Sequence, residues 1–202
     1  MKTRVLEFSD YEKIKEIVES DGVIAFPTET VYGLGVRHDS FLAYTKIFEA
    51  KMRPENKSLT LMLYDKNDIE KYAVIDDKVR NVINVFMPGA LTLVLPKQDE
   101  VEIYGSDETI GIRIPDNQET LELLKGIKIP MFVTSANISG NKAAENFDEV
   151  KNELDGRIEA IVQGEVRNGQ ASTIVSIIND ELKLLREGPI ALKKIEEVYN
   201  NG

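Results

Sequence analysis

Pro27-Thr28-Glu29-Thr30-Val31-Tyr32-Gly33-Leu34-Gly35 holds three hydroxyls, a carboxylate and two glycines directly behind an apolar run. Hydroxyls donate and accept, and glycine admits positive φ or close approach of backbone to a ligand, so the stretch suits a small-molecule site. It equally suits a polar turn capping a strand. Gly-x-Gly alone does not decide, because the third glycine of a dinucleotide fingerprint is missing and His38 stands near its place. Lys51-Met52-Arg53-Pro54-Glu55-Asn56-Lys57 then sets three cations within seven positions. They make either an anion site or a helix C-terminus whose cations complement the dipole. Val133-Thr134-Ser135-Ala136-Asn137-Ile138-Ser139-Gly140 follows a second apolar run. Its Ser hydroxyl, Asn amide and turn amides can hold a phosphate without added charge, or they can form an Asx or Ser turn.

Composition narrows the chemistry. Of 202 residues, 42% are hydrophobic and 30% charged, ordinary for one well-packed soluble domain spanning residues 1–202. No cysteine is present and His38 is the single histidine, which excludes disulfides, thiolate metal sites and histidine clusters, so no protein metal site is expected. No Walker loop, Ser-His-Asp triad or zinc signature occurs, leaving covalent catalysis without a candidate. The formal net charge of −10 opposes non-specific binding to a long phosphate polymer. Lys51, Arg53, Lys57, Arg113 and Arg186 nevertheless lie in or beside the motifs, and together they would make a cationic pocket for a small polyanion. Neither a signal-peptide core nor a run approaching about 20 apolar residues is present, so the reading is cytoplasmic, with no membrane partner.

Certain elements must position these residues. Ser9-Asp10-Tyr11-Glu12 reads as a capping box for a helix ending at Asp21-Gly22. Val23–Phe26 reads as a buried strand that Pro27 ends, leaving the Pro27–Gly35 stretch as a loop. Asp39 or Ser40 can cap a second helix with Phe41, Tyr44, Ile47 and Phe48 on its inner face, delivering Lys51 and Arg53 at its end. Leu59–Tyr64 is expected as a strand, Asp65–Tyr72 as a short helix, and Val79, Val82, Ile83 and Phe86 as the apolar stripe of another. Strands are expected at Leu91–Leu95, Gly111–Ile114, Pro130–Thr134 and Ala160–Val162, and helices at Asp116–Lys125 and Phe147–Leu154. Thr173–Ile178 and Leu182–Arg186 flank Asn179-Asp180-Glu181 as a hairpin, and Ala191–Tyr199 reads as a last helix. Arg113 falls on the face opposite its aliphatic neighbours, where it either meets solvent or forms a rigid fork for a carboxylate or phosphate. The alternation predicts an α/β fold, a mixed twisted sheet with helices on both faces.

Taken with Gly111-Ile112-Arg113-Ile114-Pro115, Ser172-Thr173-Ile174-Val175 and Arg186-Glu187-Gly188, the three stretches resemble the YrdC-like family over nearly the whole chain. The resemblance implies an L-threonylcarbamoyladenylate synthase, a nucleotidyltransferase that joins L-threonine, bicarbonate or CO2, and ATP, releases pyrophosphate, and serves N6-threonylcarbamoyladenosine formation in tRNA. It further implies that Lys51, Arg53, Lys57, Ser135, Asn137 and Arg186 hold the triphosphate with Mg2+ bridging its oxygens, Thr109 and Ala143 being nucleotide contacts. Lys51, Arg53, Ser135 and Asn137 are then the catalytic set. Thr30, Tyr32, Met62, Arg113 and Ser172 form the threonine pocket, with Arg113 taking the carboxylate.

Lys57-Ser58-Leu59 stands where Lys-Pro-Leu or His-Pro-Leu is usual, Pro88-Gly89-Ala90 where Pro-Gly-Pro is, and Met62 where many relatives place a threonine-facing His. The chain's end near residue 200 implies the short form without the C-terminal domain of longer relatives. The implied partner is the threonylcarbamoyltransferase machinery that modifies tRNA. Alternatives are a carbamoyl-adenylating relative, whose usual zinc fingers the absence of cysteine disfavours, and a double-stranded-RNA or ribosome-maturation module with weak RNA binding, which the acidic balance disfavours.

Overall fold

The computed structural model describes residues 2–52, 58–102, 104 and 108–201. The chain begins with β1 (Arg4–Leu6), a 3-10 turn (Phe8–Asp10) and α1 (Tyr11–Glu19). β2 (Ile24–Pro27), β3 (Tyr32–Arg37) and α2 (Phe41–Lys51) follow. Next come β4 (Thr60–Met62), a 3-10 helix (Lys66–Lys71), α3 (Asp77–Phe86), β5 (Leu91–Pro96) and β6 (Thr109–Arg113). α4 (Gln118–Ile127), β7 (Met131–Ser135), α5 (Phe147–Leu154) and β8 (Ala160–Val162) precede the hairpin β9 (Thr173–Ile178) and β10 (Glu181–Arg186), and α6 (Leu192–Asn200) closes the chain. One ten-stranded sheet runs β1-β8-β2-β3-β7-β4-β6-β5-β9-β10 and mixes parallel and antiparallel pairs, as the alternation predicted.

Period-2 alternation gives the sheet two cores. Ala25, Leu61, Phe132, Ile112, Leu93 and Val175 meet the apolar stripes of α2, α3, α5 and α6 on one face. Ile24, Phe26, Met62, Met131 and Val133 meet Ile14, Ile17 and Val18 of α1 and Leu123, Leu124 and Ile127 of α4 on the other. Helix starts follow local chemistry: Ser40, Asp76, Asn117 and Asn146 each accept a backbone N–H from the first turn. Among the described residues no helix is long and apolar enough to cross a membrane.

Four local expectations are corrected. Tyr32–Arg37 is a strand rather than loop, pairing antiparallel with β2 through Phe26↔Gly33 and Ile24↔Gly35. Gly33 and Gly35 serve packing: a Cβ on Gly35 would lie 2.8 Å from Phe26 Cε1 and 2.9 Å from Met131 Cε, and one on Gly33 would lie 3.0 Å from Val133 Cγ1. The reciprocal capping box joins Glu7 and Asp10 on the 3-10 turn, and Asp10 makes no side-chain cap for α1. Phe41, expected inside, is 62% exposed; it stands at the first turn of α2 and packs on the rings of Tyr44 and Tyr104. β1 is an added strand, pairing parallel with β8, and three residues are too few to show periodicity.

The expected hairpin forms with a shorter turn: Asn179 at φ 52° and Asp180 at φ 60° make it, and Glu181, expected in the turn, pairs with Ile178 as the first residue of β10.

Candidate active site

α1 and α4 cover one half of their face of the sheet. Over the other half lies a cleft lined by residues of β3, β7, β4, β5 and β9 together with Arg113 and Arg186. Polar residues within otherwise apolar strands point into it, as Thr60, Thr92 and Arg113 do. Alternation thus sends the aliphatic neighbours of each into the opposite core, which is why an apolar strand can carry a polar wall.

The Thr28–Val31 turn closes one end. Thr28 Oγ1 donates to the Val31 carbonyl at 2.7 Å, accepts from the amides of Thr30 and Val31, and shares a hydrogen bond of 2.8 Å with Thr30 Oγ1. This Ser/Thr turn lets Glu29 and Thr30 reach Arg113. Arg113 Nη2 donates to Glu29 Oε1 at 2.7 Å and to Thr30 Oγ1 at 2.8 Å, while Nε donates to the Gly89 carbonyl at 3.3 Å. The ion pair is buried, its side chains 8% and 4% exposed. Nη1 makes no hydrogen bond to any described residue, leaving it for the cleft that Arg113 lines.

Arg186, at the end of β10, donates from Nε to the Ser172 carbonyl at 3.0 Å and from Nη2 to Ser172 Oγ at 3.1 Å. Ser172 Oγ also shares a hydrogen bond of 2.9 Å with Thr92 Oγ1. Burial, and secondarily the charge of Arg113, lower the pKa of Arg186 from its ordinary value. The two guanidiniums, both on the cleft, therefore disfavour each other's charge. Gly188 permits the chain to turn back here: a Cβ would lie 2.3 Å from the Thr173 amide nitrogen and 2.6 Å from the Ala171 carbonyl oxygen.

Behind Ser135 the loop is braced from within. Lys51 is buried, and its Nζ donates to the Ser135 and Asn137 carbonyls and to Asn137 Oδ1. Asn137 Oδ1 also accepts from Ser135 Oγ at 2.5 Å, and Nδ2 donates to the carbonyls of Ile138 and Asn141, both at 2.9 Å. Gly140 takes φ 98°, where a side chain would be strained, and so allows the turn that returns to Asn141.

The structure thus brings Tyr32, Met62, Arg113, Ser135, Ser172 and Arg186 onto one cleft wall, with Thr30 immediately behind Arg113. Five of the expected site residues are otherwise engaged or stand off this wall. Tyr32 borders the cleft but its hydroxyl is committed to Gly164, donating to the carbonyl at 2.9 Å and accepting from the amide at 3.1 Å. The Asn137 amide faces inward because both its polar atoms are used by the loop, and Lys51 lies beneath that loop rather than in the wall. Ala143 lies off the wall, and Thr109 borders an adjoining cavity with Tyr104, Gly111 and Leu185. Arg53 and Lys57 lie outside the described residues.

Sequence reasoning missed Thr92 and the pairing of Glu29. A lone Thr between Leu91 and Leu93 in a strand buried on both faces was the available signal for the first. Among the described residues no group of three acidic or histidine side chains is placed to hold a metal ion.

The family Sua5_yciO_yrdC, described as "Telomere recombination", matches residues 16–188. A Methanocaldococcus jannaschii protein is 33% identical over 195 residues, 96% of this chain and 90% of its own length. The Bacillus subtilis protein named threonylcarbamoyl-AMP synthase is 38% identical over 187 residues, covering 90% of this chain and 54% of its own, so this chain spans about half of that relative. The crystal structure of Pyrococcus abyssi Sua5 complexed with L-threonine superposes with a TM-score of 0.90 at 33% identity, covering 98% of this chain and 61% of that one.

Proposed function

The chain belongs to the Sua5/YciO/YrdC family, and from that premise we propose that it acts, as one domain, as an L-threonylcarbamoyladenylate synthase. The observation that carries the reading is the two-arginine cleft, in which Arg113 is held by Glu29 and Thr30 with Nη1 hydrogen-bonded to none of the described residues. A planar guanidinium fixed on a strand suits a carboxylate, and an α-amino acid supplies one. The threonine complex of the P. abyssi relative and the name of the B. subtilis relative support the same substrate and product.

In this reading the threonine carboxylate sits on Arg113, beside Met62, Tyr32 and Ser172, and MgATP enters from the side of Ser135 and Arg186. The threonine amine attacks CO2, loses a proton and becomes an N-carboxylate. A carboxylate oxygen then attacks the α-phosphorus, the bond to the bridging oxygen breaks, and pyrophosphate leaves. Both reactants are anions, so the protein's work is alignment and offsetting of repulsion rather than proton abstraction. Arg186, Arg53 and Lys57 supply positive charge toward the phosphates, Ser135 a neutral hydroxyl that donates once it turns from Asn137 Oδ1 to the ligand, and Thr109 and Ala143 the more distant nucleotide contacts. Lys51 and Asn137 keep the Ser135 loop in shape. Bound Mg2+ supplies further neutralisation of the leaving pyrophosphate. The adenylate then passes to the tRNA-modifying threonylcarbamoyltransferase machinery.

The test is direct. Incubation with ATP, Mg2+ and bicarbonate should give threonylcarbamoyl-AMP by mass spectrometry only when threonine is present. Absence of this adenylate under all of these conditions would refute the assignment.

A further inference from the structure

Glu29 poses a problem that folding does not answer. It is buried at 3% exposure, its Oε1 accepts from Arg113, and its Oε2 is buried with no hydrogen-bond partner among the described residues. Buried carboxylate oxygens are ordinarily satisfied, because leaving one unpaired is costly. A buried ion pair is also weak as a stabilising device, its desolvation tending to offset its attraction. An arrangement this costly beside a cleft asks for a reason outside stability.

The neighbouring charges supply it. Glu29 is absent from the cleft wall, so it acts through something else. Arg113 is the partner of its carboxylate, and that guanidinium shares the cleft with Arg186, which has no carboxylate partner among the described residues. The turn carrying Glu29 is itself anchored, its carbonyl accepting from the Asn168 amide at 2.8 Å and its two threonines locked together. Because Oε2 has no other donor among the described residues, the negative charge is directed at one guanidinium, on the Nη2 side. Nη1 is then the edge left to a ligand.

We propose that Glu29 is a positioning residue: it fixes the orientation of Arg113 at the cleft and offsets the repulsion between Arg113 and Arg186, so that Nη1 is presented to the substrate carboxylate. The link to substrate rests on the synthase reading; the link to Arg113 does not. Glu29 itself touches no reacting atom, and its effect is felt in amino-acid binding rather than in nucleotide binding.

Glu29→Gln keeps the shape and one acceptor but removes the charge; Glu29→Ala removes both. Two readouts are needed on each. The first is NMR of the Arg113 guanidinium in ligand-free protein, assigned by its loss in Arg113→Lys. Wild type should show separate Nη proton resonances from hindered rotation, and both Glu29 variants should show them merged. The second is a pair of Michaelis constants. Loss of a charge-assisted bond should raise the threonine KM about tenfold in Glu29→Gln and further in Glu29→Ala, with the ATP KM within about twofold.

If Glu29→Ala does not fold, the isosteric Glu29→Gln decides alone. Unchanged Arg113 resonances overturn the proposal, as do threonine and ATP constants that rise in step or an unchanged threonine constant. If wild type makes no adenylate, the synthase reading fails, and the resonances by themselves decide whether Glu29 positions Arg113.

Discussion

Lys51 Nζ donates 2.7 Å to the carbonyl of Asn137 and 3.2 Å to its Oδ1, joining the end of α2 to the loop after β7 across 86 residues of chain. Two residues expected at a phosphate are thus bound to one another. Ser135, one step away, remains on the cleft wall.

The first prediction separates these neighbours. Asn137→Ala should lower Tm by several degrees, corresponding to about 1–3 kcal/mol for stranding buried partners. Ser135→Ala should lower Tm less, because Asn137 Oδ1 keeps its bond from Lys51, and should weaken ATP binding about tenfold. Calorimetric melting without ligand and ATP titration on each variant decide the matter. An Asn137→Ala protein of wild-type Tm with lost ATP affinity would restore its amide to the phosphate.

Arg113→Lys keeps the charge and loses the fork. Lysine cannot donate to Glu29, Thr30 and Gly89 while offering a planar edge, so threonine binding should suffer more than nucleotide binding. We expect the threonine KM to rise at least about tenfold with a smaller change for ATP. An effect confined to ATP would reassign the guanidinium to the nucleotide.

Gly188→Ala should act on Ser172 from a distance. The new methyl would lie 2.3 Å from the Thr173 amide nitrogen and 2.6 Å from the Ser172 carbonyl carbon, so backbone must shift. Stability should fall by about 1–3 kcal/mol in urea unfolding, as overpacking does, and activity should fall with it. Wild-type stability would show that the segment yields without cost.

Tyr32 carries a pH signature. Burial pushes its phenol up from 10.0 to about 12, against a smaller opposing effect of the hydrogen bond to Gly164. The unfolded chain surrenders this proton near pH 10 while the folded chain keeps it. The stability contributed is therefore complete below about pH 10 and is lost as pH rises through about 12, a fall of roughly 2–3 kcal/mol. Urea midpoints between pH 8 and 12 should drop less steeply above pH 10 for Tyr32→Phe than for wild type, although the variant is less stable at neutral pH through loss of both Gly164 bonds. Parallel curves would place the alkaline limb elsewhere.

Much of this was legible before any coordinates. The stripes of α3 and α6, the Asn-Asp hairpin and the isolated polar side chains of the strands follow from period and turn chemistry. Gly33 and Gly35 misled because glycine signals a turn when only local propensity is read, whereas here each leaves room under Phe26, Met131 or Val133 from other strands. Asn137 misled for a related reason. An exposed-looking Ser-x-Asn loop gives no hint that a lysine 86 residues earlier in the chain reaches beneath it. Glu29 was visible as a carboxylate between two threonines, but its partner emerged only once β6 was set beside the Thr28 turn.

The cleft wall draws on positions from Thr28 to Arg186, and no short stretch contributes more than one side of it. Such a wall exists only after the non-local pairings β3·β7 and β5·β9 have closed, and non-local pairings are slow to form. Ligand affinity is consequently a readout of the finished topology, and a partly folded chain has no rudimentary version of the site to offer. By linkage, whatever fills the cleft holds shut the whole sheet rather than a local flap. Saturating substrate should therefore slow hydrogen exchange in β2, β6 and β9 together, far beyond the atoms it touches.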